Sequence, residues 1–331
     1  MLRPKAIRLE ASSFCQLRCP SCPTTKGDLH PHVGSGFLRF ADFKNIVDSN
    51  PSISRIELSN YGEIFLNPDL YWILRFAHSR DVMITAENGV NLNNARDDVL
   101  EALVRYRVDR MTCSIDGASQ ETYSKYRVRG NYFQVIRNIR KINEFKKQYR
   151  SSLPRLKWQF VVFGHNEHEI DAARNLAAEL DMEFAPKLSW DEEFSPIRNP
   201  DAVREALGMK AVTRTEFTED TGVDYIMNQV CWQLWDLPQI NWDGKVLGCC
   251  INHWGEFGGN AFADGLYKVL NSENMKHARD MLQGKAPEKE GVPCSTCFVY
   301  QRAKKSGKWL VRDAKRAGAV PAVAEQMRIS A

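Results

Sequence analysis

Residues 14–22, FCQLRCPSC, carry Cys15, Cys19 and Cys22 in one short run near the start of the chain. Thiolates are soft metal ligands, and three is an unusual number of them. Structural zinc sites close with four ligands and disulfides need pairs. A cubane iron–sulfur cluster offers four irons, so three thiolates hold it and leave one iron free to bind something else. The same open coordination separates catalytic from structural zinc sites. A partial zinc site or three buried thiols is the alternative reading of the spacing.

A second set lies late in the chain: Cys231, the pair Cys249-Cys250, and Cys294-Ser-Thr-Cys297. INWDGKVLGCC (240–250) reads as strand, turn at Asp243-Gly244, strand. An upstream cysteine, a hairpin cysteine and a CxxC knuckle can give four thiolates to one metal centre. Spacing alone does not choose between a zinc ribbon and a [4Fe–4S] cluster. Cys113 lies inside a strand pattern and reads as a small buried hydrophobe. Cys250 is left over beside its neighbour.

The elements that must position these groups follow from the periodicity. Strand patterns occupy 6–12, 55–60, 82–88, 110–116, 156–163 and 182–188, with helically spaced apolar residues between them. Six β-α units in succession imply parallel strands with right-handed crossovers. The fold class expected is α/β, a partial (β/α)6 TIM-like barrel over 1–188, open because no further unit follows. Residues 189–225 are charged and rich in Pro and Thr, a linker or lid. A small cysteine-rich domain is expected over 226–300, and a basic helical tail over 301–331. The tail's Lys and Arg read as a solvated face.

In parallel α/β sheets, ligands bind at the carboxyl ends of the strands. The unusual residues fall after successive strands: the three early cysteines, Gly62 and Glu63, Asn88 and Gly89, Ser114 and Asp116, Gly164 with His165 and Asn166, and Lys187. One such group would be an ordinary turn; six on one rim make a site.

The Cx3Cx2C run after the first strand of a six-unit barrel resembles the signature of the radical S-adenosylmethionine (SAM) superfamily. The resemblance implies a [4Fe–4S] cluster on Cys15, Cys19 and Cys22 whose open iron chelates the methionine part of SAM. Reductive cleavage would then give a 5′-deoxyadenosyl radical that takes a hydrogen atom from the substrate. Ser21 stands where the family often has an aromatic residue before its third cysteine. Tyr61-Gly62-Glu63 resembles the family's Gly-Gly-Glu stretch, which implies that Gly62 and Glu63 hold the SAM amino group; Tyr61 replaces the first glycine. SIDGAS (114–119) and the following ETYSKYRVRG resemble the matching family segment. That implies Ser114 and Asp116 near the SAM ribose or substrate, and Arg127 on the SAM carboxylate, where its fork makes two hydrogen bonds. An ion pair on the surface is the plainer reading of Arg127. Asn88, on the same rim, is counted with the SAM contacts. The late cysteines resemble the Twitch type of C-terminal domain, the one-cluster relative of SPASM, with GNAFADGLYKVLNSENMKHARDML (259–282) as its helix. The resemblance implies a fully ligated auxiliary [4Fe–4S] cluster on Cys231, Cys249, Cys294 and Cys297.

Function follows less directly. The first strand pattern begins near residue 6, without room ahead of it for a leader-peptide domain, so a small sugar-, aminosugar- or cyclitol-like substrate is expected. Proton loss to Lys187 or His165 with electron loss to the auxiliary cluster would oxidise an alcohol; hydrogen return from Cys250 would epimerise it. A flavodoxin- or ferredoxin-type protein would supply the electron. A peptide maturase is the second enzyme reading. A zinc-binding, nucleic-acid-associated protein with a basic helix is the reading from another class. The net charge of +4 does not call for a nucleic-acid partner. No apolar run approaches the roughly 20 residues that span a bilayer, and the start is too polar for a signal peptide. Nine cysteines without such signals point to a reducing cytoplasm and to metal rather than disulfides.

Overall fold

The computed structural model describes residues 1–29, 32–222 and 224–311; the remainder of the basic tail, 312–331, lies outside the described residues. Six parallel strands form where the alternation and apolar runs place them: β1 (Ala6–Leu9), β2 (Arg55–Glu57), β3 (Met83–Val90), β4 (Arg110–Ser114), β5 (Arg155–Val162) and β6 (Met182–Leu188). Each pairs in parallel with the next in chain order. Helices Phe40–Ser49, Leu70–Ser79, Asp97–Arg105, Tyr132–Gln148 and Ile170–Glu179 make the crossovers. Strands covered on both faces bury nearly every side chain. Ile7, Ile56, Met111 and Trp158 are fully enclosed, and Cys113 joins this core from β4. The expected partial barrel is the fold found.

Three features depart from the sequence reading. First, β3 runs on to Val90, so Asn88 and Gly89 lie within the strand rather than after it. Its register with β4 shifts between Ala86 and Val90. Gly89 has φ +115°, and a Cβ there would stand 2.5 Å from the Ser114 hydroxyl, so only glycine lets the strand carry the irregularity.

Second, the late hairpin does not stand apart from the barrel. β7 (Gln239–Ile240) pairs in parallel with β1, and β8 (Val246–Gly248) pairs antiparallel with β7. One eight-stranded sheet results, ordered β6-β5-β4-β3-β2-β1-β7-β8. The cause is the open edge of β1, whose amides would otherwise lack partners. Arg8 N donates to the Pro238 carbonyl and Glu10 N to the Ile240 carbonyl, each at 3.0 Å.

Third, 259–282 is not one helix. A π-turn at Ala261–Gly265 leads into Leu266–Leu270, and a new helix, Glu273–Leu282, starts where Ser272 caps the Met275 amide. Residues 189–225 hold two helices, Pro200–Leu207 and Arg214–Thr221, each capped by a side chain at its start and ended by a left-handed glycine. Among the described residues no helix is long and apolar enough to cross a membrane.

Candidate active site

The early cysteines lie in the loop between β1 and the short helix Pro23–Lys26, which starts directly after Cys22. The loop is anchored by close backbone approach. Glu63 N donates to the Phe14 carbonyl at 2.7 Å, and a Cβ on Gly62 would stand 2.1 Å from the Ser12 carbonyl oxygen. Gly62 therefore needs to be glycine for packing alone. The loop rests on Tyr126, Val161 and Phe163, with Phe194 at its margin. The Trp190 indole nitrogen reaches back to the Ser21 carbonyl at 3.4 Å.

Charged and amide donors face the sulfurs. Arg127 Nη1 lies 3.8 Å from Cys19 Sγ, and Asn91 Nδ2 lies 3.7 Å from Cys15 Sγ. Burial pushes the Cys15 thiol up to about 12, with the Glu63 carboxylate adding to it. Burial also raises Cys19, against the pull of Arg127. Arg127 is no surface residue: its side chain is 13% exposed, and it pairs with the fully buried Asp116 at 2.6 Å. That carboxylate also accepts from Val161 N at 2.8 Å. Its pairing keeps the Arg127 guanidinium protonated despite burial.

Two carboxylates work on the backbone of this rim. Glu63 accepts from Asn91 N at 2.6 Å and from Phe65 N at 3.2 Å, and burial raises it to about 7. Glu10, which the sequence reading passed over inside RLEAS, accepts from Tyr61 N at 3.1 Å and Gly62 N at 3.2 Å; burial raises it to about 8. An acidic residue at the end of an otherwise buried strand was the signal available. The Tyr61 ring, in the place of the family's glycine, packs with Leu29, Val33 and Leu247 and so reaches toward β8.

The four late cysteines Cys231, Cys249, Cys294 and Cys297 gather within mutual electrostatic reach. Burial pushes Cys294 up to about 12 and raises the other three as well. Cys297 caps the helix Phe298–Ser306, and the amides of Val299 and Tyr300 face its sulfur. Cys250 lies beside Cys249, within its electrostatic reach, and makes other bonds. Its N–H donates to Gln233 Oε1 at 2.8 Å, its carbonyl accepts from Asn60 Nδ2 at 3.2 Å, and Gln233 Nε2 lies 3.4 Å from its sulfur. Asn60 in turn accepts from Asn88 Nδ2 at 2.9 Å. Cys250 is thus held to the barrel rim through its carbonyl and to the helix Gln233–Asp236 of the cysteine-rich extension through its N–H.

Lys187, on β6, shares that space. Burial lowers its pKa to about 8, Arg214 lowers it further, and Cys250 acts against both. Its ammonium donates to Gln159 Oε1 at 3.3 Å, and Gln159 Nε2 contacts the Ser114 hydroxyl at 3.4 Å. His165 keeps different company. It stacks on Phe163 at 5.2 Å, abuts Phe194, and bonds through Nδ1 to Ser195 at 3.0 Å. Burial lowers its pKa. The structure therefore unites Lys187 with Cys250 and leaves His165 beside the early cysteine loop.

The donor sets fit iron–sulfur chemistry by type. Both are all-thiol, and N–H groups aimed at sulfur match thiolates better than neutral thiols. Thiols raised this far by burial ionise readily only against a metal. Among the described residues no three His, Cys, Asp or Glu side chains close on one point as for a single metal ion, so the fit rests on donor chemistry.

A barrel with a thiol loop beyond its first strand and a cysteine-rich extension on the same sheet defines a class of cluster-bearing α/β enzyme. The family model of the radical SAM superfamily matches residues 9–177, just over half of the chain, and the chain belongs to that superfamily. The model of an iron–sulfur cluster-binding domain, SPASM, matches residues 231–298, which enclose the four late cysteines. SAM and iron–sulfur clusters are accordingly its cofactors. The zinc-binding, nucleic-acid-associated reading falls with this membership. The AdoMet-dependent heme synthase of Methanosarcina barkeri (strain Fusaro / DSM 804) is 30% identical over 126 residues. That match spans 38% of this chain and 34% of the synthase, about a third of its length. Among solved structures, Streptococcus suis SuiB bound to S-adenosylmethionine aligns with a TM-score of 0.63 at 13% identity, over 90% of this chain and 71% of that one. anSMEcpe with bound AdoMet aligns with a TM-score of 0.58 at 14% identity, over 89% and 87%. At these identities the likeness is one of fold.

Proposed function

We propose that this chain is a radical SAM oxidoreductase or epimerase of a small, polar, sugar-like alcohol. Cys15, Cys19 and Cys22 hold the SAM-binding cluster, and Cys231, Cys249, Cys294 and Cys297 hold one auxiliary cluster. Gly62, Glu63, Asn88, Ser114, Asp116 and Arg127 form the SAM side of the rim. Glu63 has both oxygens occupied by backbone amides, so its part is to shape the segment that meets SAM. When bound, SAM at the first cluster supplies a 5′-deoxyadenosyl radical, and the auxiliary cluster takes or returns one electron.

The observation that carries the reading is the juxtaposition of Cys250 and Lys187 on the barrel rim. An amine that titrates near neutrality can take the proton of a substrate hydroxyl, which suits dehydrogenation. A thiol held by its backbone and left outside the proposed four-cysteine ligand set suits hydrogen-atom return, which gives an epimer. The amide-rich wall of Asn60, Asn88, Gln159 and Gln233 suits hydroxyl groups. Proton transfer to Lys187 rather than to His165 fits their placement, since Lys187 lies within electrostatic reach of Cys250 and His165 packs on Phe163 and Phe194. A reducing cytoplasm and a flavodoxin- or ferredoxin-type donor fit the thiol content.

The test uses anaerobically reconstituted full-length protein with dithionite, SAM and separate panels of sugars, aminosugars, cyclitols and peptides. An alcohol from the first three panels should raise 5′-deoxyadenosine formation above the substrate-free level. Stimulation by peptides alone would replace this reading with that of a peptide maturase. With a turning-over alcohol in hand, Cys250→Ala should keep both clusters and change the product; an unchanged product removes the hydrogen-donor role.

A further inference from the structure

Arg214 opens the helix Arg214–Thr221 and lies against the end of β6, where its Nε donates to the Leu188 carbonyl at 3.2 Å. Its guanidinium is oriented by the Tyr225 ring, 4.6 Å away. It acts electrostatically on Lys187, as do Cys250 and Asp116, so these groups lie within electrostatic reach of Lys187. Among the described residues, neither Arg214 nor Lys187 belongs to an ion pair, although carboxylates stand near. Asp224 and Asp116 are already paired with other arginines, and Glu192 is engaged through one oxygen, Oε1. Glu192 accepts from Thr215 N at 3.0 Å and from its hydroxyl at 3.2 Å. Asp224 pairs with Arg302 at 2.8 Å and accepts from Ile226 N at 2.9 Å. Asp116 pairs with Arg127. Burial holds Arg214 below its ordinary value. A half-buried guanidinium beside a second cation, in no ion pair of its own, is well placed to be completed by an anion.

We infer that Arg214 is the anchor for an anionic group, a carboxylate or a phosphate, on the substrate. The hydroxyl to be oxidised or inverted is then left to Lys187 and Cys250. This rests on the proposed reading of Lys187 and Cys250 as the reacting side of the pocket. It narrows the substrate from a polar alcohol to an acidic one, such as a sugar acid or a sugar phosphate.

Binding of glucose, glucuronate and glucose 6-phosphate to the reconstituted, SAM-loaded full chain, measured by calorimetry at low and high salt, tests it. At least one anionic sugar should bind about tenfold tighter than glucose, equivalent to ~1.4 kcal/mol, and the preference should shrink with salt. Which of the two it is separates carboxylate from phosphate. Arg214→Gln, compared at equal iron content, should erase the preference, while Arg214→Lys should keep part of it. Equal binding of all three sugars, no binding of either anion, or a preference that survives Arg214→Gln overturns the inference. An Arg214-dependent preference without 5′-deoxyadenosine stimulation by any alcohol would sink the reaction proposed above and leave the anion site standing. Stimulation by neutral alcohols with no such preference would do the reverse.

Discussion

The two thiol sets are built differently, although each has a backbone amide and an arginine acting on it. The early three come from one loop, and side chains with charge or strong dipoles stand over them: Arg127 at Cys19, Asn91 at Cys15, Asp116 behind. The late four come from three separate places and meet backbone amides, with Trp254 closing the knuckle through a 3.0 Å bond to the Pro293 carbonyl. A centre that must bind and activate something keeps an open position and tunable neighbours. A centre that only passes electrons is served by full ligation and shielding. The first should therefore fail by losing chemistry and the second by losing structure.

The strongest test of that contrast is Cys19→Ala. Iron should fall by half, from about eight to about four per chain, and SAM cleavage should vanish with little change in thermal stability. Persisting 5′-deoxyadenosine formation would break the assignment. Cys249→Ala should give the mirror image. The auxiliary iron is lost and the melting temperature drops, because metal binding there is part of folding, while some SAM cleavage remains; loss of cleavage with intact stability would erase the distinction. Gly62→Ala is the next in size. Its Cβ would collide with the Ser12 carbonyl, costing about 1–3 kcal/mol as overpacking does and displacing the early loop. SAM affinity measured by equilibrium dialysis should fall, with the auxiliary cluster's spectrum unchanged.

The smallest effect concerns pH. Glu10 has a pKa of about 8 in the fold against 4.5 ordinarily. The folded chain thus holds its proton to higher pH than the unfolded chain does. Its contribution is complete below 4.5 and is lost as pH rises through about 8. Glu10→Gln keeps an acceptor oxygen for Tyr61 N and Gly62 N without the charge. The variant should unfold at a higher temperature than wild type at pH 9, and by a smaller margin at pH 6. Parallel behaviour across that range would show that the carboxylate is ionised throughout.

Much of the fold was legible because its signals are local. Alternation and helical spacing marked six strands and their crossovers, and family resemblance in the cysteine runs pointed to the superfamily and its cofactors. What escaped depends on contacts far apart in sequence. Nothing in QIN (239–241) announces that it will pair with Arg8 and Leu9. β3 overran its reading because Asn88-Gly89 looks like a strand end while the ladder with β4 carries on to Val90 opposite Cys113. In the site, Lys187 stood out as a cation at a strand end. Gln233, Asn60 and Arg214 did not, because each gains meaning only from a partner: Cys250 for the first two, Leu188 and Lys187 for the third. Glu10 and Glu57 hid inside strand patterns, where their backbone hydrogen bonds cannot be seen.

The parallel pairing of β7 with β1 has a consequence for electron flow. The hairpin that leads to Cys249 hangs on the same hydrogen-bonded ladder as the strand that leads to Cys15. Under the proposed assignment, this ladder ties the strand before one redox centre to the hairpin that carries one ligand of the other. Moving one centre away from the other would break the backbone bonds that Arg8 N and Glu10 N make to Pro238 and Ile240, so the tunnelling distance is tied to that ladder.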